Sequence, residues 1–101
     1  MRLSDFERSS IVAAVVKFDH AAEVYLFGSR IDDLKRGGDI DILIKSDVLG
    51  IDALELIEEE LFKHIDEQKV DFVFTGKSRL SSFAAMVLSK GAINLCPPST
   101  A

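Results

Sequence analysis

This 101-residue chain contains no tryptophan, one cysteine, one tyrosine and two prolines. The lone Cys96 excludes an internal disulfide, and with it a fold stapled by cross-links. Basic residues are in deficit, with 12 Lys and Arg against 17 Asp and Glu, for a net charge of -5 and a pI near 4.9. That balance argues against a general nucleic-acid binder or a membrane-surface protein, since both need a dense basic footprint, but it leaves free nucleotides open. No apolar run approaches the ~20 residues needed to cross a bilayer. The opening "MRLSDFERSS" lacks the apolar stretch of a signal peptide, so the expected location is cytoplasmic. Repeats and low-complexity tracts are missing as well, apart from the short ending "CPPSTA".

What is present is the composition of a folded domain: 48% hydrophobic and 29% charged residues. A chain of this length supports one core that buries roughly 60 to 65% of the unfolded surface. The expected organisation is a single domain over residues 1–96 with a short tail over 97–101, and anything larger has to come from partners. The element order reads α-β-β-α-β-α, with a last short strand in "AINLC". Ser4 followed by Glu7 is a capping-box signature, and the apolar stripe Ile11, Val12, Val15, Val16 and Phe18 extends the first helix from Asp5 to about His20. "EVYLFG" is a strand that stops at Gly28. A helix is expected from Asp52 to about Ile65, with Leu54, Ile57, Leu61 and Ile65 inward and the "EEE" run as its solvated face. "KVDFVF" gives a third strand, and Leu80, Phe83, Ala84, Val87 and Leu88 mark a final amphipathic helix ending at Gly91. The fold class is therefore α/β or α+β: a small mixed sheet of three to four strands with helices packed on it.

Against this background the stretch "GGDIDILIK" is anomalous. Asp39 to Lys45 reads as a strand with Ile40, Ile42 and Ile44 on one face and Asp39, Asp41, Leu43 and Lys45 on the other. Ionised Asp is rarely buried unpaired, because desolvation costs several kcal/mol unless something compensates. Two carboxylates on one strand face, with Cβ atoms about 6.5 to 7 Å apart, suit a hard cation bound through oxygen. Mg²⁺ is the candidate, as one ion or as two bracketing an in-line phosphoryl displacement. Asp71 completes the set if its strand lies beside the first. Gly28 and Ser29, at the end of the preceding strand, are candidates for a phosphate cradle, since a residue without Cβ lets backbone N–H groups approach an anion. Arg30 follows at once. Taken singly these signals are weak: Asp-x-Asp is often a surface pair, and Gly-Ser is a common turn.

Together they carry a resemblance. A strand ending in Gly-Ser, a loop, Asp-x-Asp on a second strand and an isolated Asp on a third resemble the DNA polymerase β-like nucleotidyltransferase superfamily. The wording "LFGSR…GGDIDILI" in a chain this short is similar to its minimal nucleotidyltransferase (MNT) branch. The likeness is strong over Val24 to Lys45 and weaker over Lys69 to Phe74. It implies a small mixed sheet with helices on one side, and Mg²⁺-dependent transfer of NMP, with AMP from ATP foremost, to a hydroxyl of a protein or small molecule. By position, Gly28, Ser29 and Arg30 would bind the nucleotide. Asp39, Asp41 and Asp71 would be the catalytic and metal-binding carboxylates, Asp71 holding either a metal or the proton of the attacking hydroxyl. Nine residues separate Ser29 from Asp39, a tighter loop than in many minimal members.

The resemblance also implies a separately encoded helical HEPN-type partner, as in a toxin–antitoxin pair, and a chain with no acceptor domain of its own agrees with that or with homo-oligomerisation. The competing expectation is a binding module that neutralises such a partner by complex formation with little or no catalysis. Three clustered carboxylates favour the enzyme.

Other motifs are set aside. "TGKS", Thr75 to Ser78, imitates the end of a P-loop, but that motif requires glycine where Asp71 stands. "DDLKRGGDID" lacks the alternating ligands of an EF-hand. His20 and His64 fall near helix ends, where an imidazole favours the carbonyl dipole. Tyr25 and the seven Phe residues read as core.

Overall fold

The computed structural model of the chain describes residues 4–28, 40–65 and 70–96. Helix α1 spans Asp5–Val16, and its start is the expected capping box. The Glu7 N–H donates to Ser4 Oγ at 3.1 Å, and the Ser4 N–H donates back to Glu7 Oε1 at 3.0 Å. Ile11, Ala14 and Val15 form its buried face. The helix stops four residues short of His20, and Asp19 supplies the reason. Its carboxylate accepts from the Ala21 N–H at 3.0 Å and from the Ser46 hydroxyl at 2.5 Å, so a short polar side chain competes with helical pairing and turns the chain.

Strands β1 (Glu23–Phe27), β2 (Ile40–Lys45), β3 (Val70–Thr75) and β4 (Ile93–Asn94) form one mixed sheet in the order β3-β2-β1-β4. β1 runs antiparallel to both β2 and β4, whereas β2 and β3 are parallel. A parallel pair needs a crossover rather than a tight turn. Here the connection begins with a short 3-10 turn over Ile51–Ala53, which replaces the first turn of the expected helix, and continues as α2 (Leu54–Leu61). Ser46 is 3% exposed yet satisfied, accepting from the Val48 and Leu49 N–H groups at 3.0 and 2.8 Å as β2 gives way to the crossover.

The alternation of β2 divides the core. Ile40, Ile42 and Ile44 join Val24 and Leu26 against Ile11, Val15, Ile57 and Leu61, so α1 and α2 cover one face. Leu43 faces the other way and packs with Ala84 and Val87 of α3 (Ser82–Ser89). Helices therefore flank the sheet on both sides, which corrects the expectation of helices on one side only. Leu43 and the half-buried Tyr25, Phe27 and Val73 create an apolar strip that needs its own cover, and α3 provides it. α3 is capped by Ser81, whose Oγ accepts from the Ala84 N–H at 3.1 Å. It ends before Gly91, which takes a left-handed φ of +99°.

Candidate active site

Asp41 is the second residue of β2 and Asp71 the second of β3. The parallel register pairs them directly, on strands about 4.8 Å apart, and both belong to the face that α3 covers further along. On the opposite side Asp41 pairs with Phe27, the last residue of β1. Gly28 follows with a φ of +80°, a conformation that L side chains rarely adopt. A Cβ built there would overlap Asp41 Oδ2 and lie 3.1 Å from Asp41 Cγ, so the carboxylate rests against the bare Cα of Gly28. The absence of a side chain is thus demanded twice, by the backbone and by the acid beside it. Asp41 is half-buried and Asp71 is exposed.

Of the residues expected to form a site, the structure brings Gly28, Asp41 and Asp71 together at one end of the sheet. Ser29, Arg30 and Asp39 lie outside the described residues, as do the loop they flank and the tail over 97–101. Among the described residues no group of three or more His, Cys, Asp and Glu side chains is placed to hold a metal ion. Two carboxylates in register, with no imidazole or thiolate beside them among the described residues, are an oxygen-only donor set. That set fits a hard divalent cation and not a thiophilic one.

The same face carries a polar cluster at its far end, built on the hydroxyl of Tyr25, whose ring packs against the core as expected. The Tyr25 hydroxyl donates to Glu23 Oε1 at 2.8 Å, Lys45 Nζ stands 3.2 Å from the same oxygen, and the ammonium lies 5.7 Å from the Tyr25 ring centroid. Burial, and then the hydrogen bond to Glu23, push the phenol up to about 12. The Tyr25 hydroxyl, with Lys45 and Lys77 assisting, holds the Glu23 carboxyl below its ordinary value against a smaller opposing effect of burial. The signal available in the sequence was period two: Glu23 and Tyr25 alternate with Val24 and Leu26, and Lys45 alternates in step with Asp41.

The Thr75–Ser78 turn also lies at that far end, about four residues of strand or 13 Å from Asp71. Its resemblance to a phosphate loop has a physical content: the Lys77 and Ser78 N–H groups converge on an anion. The anion is Asp47, whose Oδ1 accepts from them at 2.8 and 3.0 Å while Oδ2 accepts from the Ser78 hydroxyl at 2.6 Å. Those bonds, the Ser78 hydroxyl first, lower the Asp47 carboxyl below its ordinary value. Lys77 Nζ is engaged too, donating to the Ala21 carbonyl at 2.7 Å. His64 does not cap a carbonyl with its side chain: Nε2 stands 3.5 Å from Glu60 Oε2. His20 is exposed in the turn after α1.

The family model of the nucleotidyltransferase domain matches residues 9–93, which takes in all four strands except the last residue of β4 and all but the first turn of α1. The chain belongs to this nucleotidyltransferase domain family. No curated relative matches the chain. Family membership gives transfer of a nucleoside monophosphate as the general activity. Among the described residues no helix is long and apolar enough to cross a membrane.

Proposed function

We propose that the chain transfers AMP from ATP to a hydroxyl group of a protein or small-molecule acceptor, with Gly28, Asp41 and Asp71 in the reacting centre. The observation that carries this reading is the Gly28–Asp41–Asp71 arrangement: a left-handed glycine that must stay bare, a carboxylate lying on it, and a second carboxylate in register one strand away. A purely adhesive surface gives no reason for two carboxylates set level beside a glycine that must stay bare, whereas a divalent cation takes such oxygen ligands. Asp41 and Asp71, joined by Asp39 as the strand alternation expects, would hold Mg²⁺, which supplies charge neutralisation at the triphosphate when bound. Backbone N–H groups around Gly28, with Ser29 and Arg30 following, would receive phosphate oxygens.

In the transfer the acceptor oxygen forms a bond to the α-phosphorus, and the bond from that phosphorus to the bridging oxygen breaks. Pyrophosphate leaves with the electron pair. Asp71, the more exposed acid, would either share the metal or, left outside its coordination, take the hydroxyl proton from an acceptor arriving from solvent. The resemblance to the minimal branch extends the proposal to a helical HEPN-type partner as acceptor and to a single domain over residues 1–96. Exposed Ile51 and Leu56, on the crossover away from the acids, support a partner by offering apolar surface to bury.

The test is incubation of the chain with Mg²⁺ and α-labelled ATP, alone and with a co-expressed helical partner. Label transferred to an acceptor with release of pyrophosphate is the expected result. A chain that binds the partner without transferring label, and without responding to Mg²⁺–ATP, is instead a neutralising module.

A further inference from the structure

On the Gly28 side of Asp41, away from Asp71, the sheet ends in a cleft of about 480 Å³ between β1 and α3. Its walls are Phe27, Phe83, Met86 and Val87, with Ala92 at the back and Lys90 at the rim, and Gly28 lines the edge nearest the acids. Phe27 and Phe83 meet edge to face, with centroids 6.0 Å apart and planes at 72°. Phe83 is 45% exposed and Met86 44%, although the sequence pattern placed Phe83 in the buried stripe of α3. Leaving two large apolar side chains half in water on one turn of helix is a cost that a ligand can remove.

We infer that this cleft holds the nucleobase of the nucleotide, gripping it through its ring faces and not through its edges. The inference rests on the proposed nucleotidyl transfer at the neighbouring acids, and it adds a recognition element that the motif residues do not contain. Position decides which part of the substrate enters. The sheet order sets Asp71, Asp41 and Phe27 side by side, so an acceptor activated at Asp71 approaches from one side and leaves the Phe27 side to the nucleoside. Chemistry decides the rest. A polyphosphate cannot settle among Phe, Met, Val and Ala side chains without losing its hydration, whereas a planar aromatic base keeps its polar edge toward solvent and Lys90 and gives its faces to the rings and the Met86 sulfur. The volume falls within the ~300–1,000 Å³ common to small-molecule sites.

Selectivity follows from the same walls. Among the described lining residues none has a side-chain amide, hydroxyl or carboxylate, and the Lys90 ammonium at the rim donates to acceptors that every base carries, so these walls discriminate poorly between base edges. Stacking rewards ring area and tolerates substituents. Purine nucleotides therefore bind more tightly than pyrimidine nucleotides, with ATP and GTP close to equal.

Tripolyphosphate, which has the phosphates without the base, separates this inference from the reading beneath it. In calorimetric titrations of the full chain with Mg²⁺, ATP should bind about tenfold or more tightly than tripolyphosphate. Phe83→Ala should remove that advantage and leave tripolyphosphate binding unchanged. The chain has two methionines, Met1 and Met86, so methyl NMR gives a direct probe in the unmutated protein should the variant not fold. The Met86 methyl signal should move upfield with ATP, under the ring current of the base, and stay in place with tripolyphosphate. Equal affinities with an unmoved Met86 signal overturn the base site while the phosphate site stands. If neither ligand binds, the nucleotidyltransferase reading fails and the inference falls with it.

Discussion

Asp71 stands level with Asp41 across the parallel strands β2 and β3, each acid being the second residue of its strand. If this pair holds the cation, each acid is indispensable for transfer. Asp41→Asn and Asp71→Asn should each lower transfer by about a hundredfold or more. In a thermal melt with nucleotide at 100 times its Kd, the parent gains about 2.7 kcal/mol from Mg²⁺–ATP. The variants should gain almost none, each measured against its own ligand-free melt. A variant that keeps the ligand-induced rise removes that acid from the metal site.

Gly28 and Gly91 both have left-handed φ, but only Gly28 has a neighbour where a Cβ would go. Gly91→Ala should cost only the backbone strain, about 1–2 kcal/mol by urea unfolding. Gly28→Ala should cost more, and it should also weaken Mg²⁺–ATP binding, because the new methyl group displaces the Asp41 carboxylate. Equal costs would mean that the carboxylate moves aside freely.

Glu60 ties α2 to α1 through Lys17 at 2.7 Å, with Lys63 at 3.4 Å on the same oxygen. The Lys17 hydrogen bond, outweighing desolvation, lowers the Glu60 carboxyl to about 2 from an ordinary 4.5. A depressed carboxyl contributes stability that is complete above the unfolded value and is lost as pH falls toward the folded one. The parent should therefore lose stability between pH 4.5 and about 2 more steeply than Glu60→Gln, as followed by circular dichroism in acid titrations.

Tyr25 gives the opposite sign at the other end of the scale. Its phenol, ordinarily near 10, is raised to about 12, so the folded state holds a proton that the unfolded state has released. The stabilisation is complete below pH 10 and disappears as pH rises toward 12. The chain contains one tyrosine, so phenolate absorbance titrates this group alone, and its midpoint should lie near 12. Tyr25→Phe should flatten the alkaline loss of stability.

Some elements were legible because neighbours in sequence decide them. Ser4 and Glu7 set the start of α1, and Ile40, Ile42 and Ile44 betray a strand with one buried face. The turn at Asp19 was not legible, because the Ser46 hydroxyl that helps to draw the chain out of the helix lies 27 residues away. The level pairing of Asp41 with Asp71 is decided by how α2 packs along the crossover, which no local pattern encodes. Phe83 fitted the helical stripe but stands half in water, since Ala84 and Val87 suffice to cover Leu43.

Asp47 has a consequence for counting. A carboxylate tethered in the turn at Lys77 and Ser78 competes with free phosphate at the effective concentration of an intramolecular group, in the ~mM range or above. The glycine-lysine-serine turn over residues 76–78 is thereby closed to nucleotides by its own anion. Saturation with ATP should stop at one molecule per chain, and that one reports on the Gly28 end of the sheet.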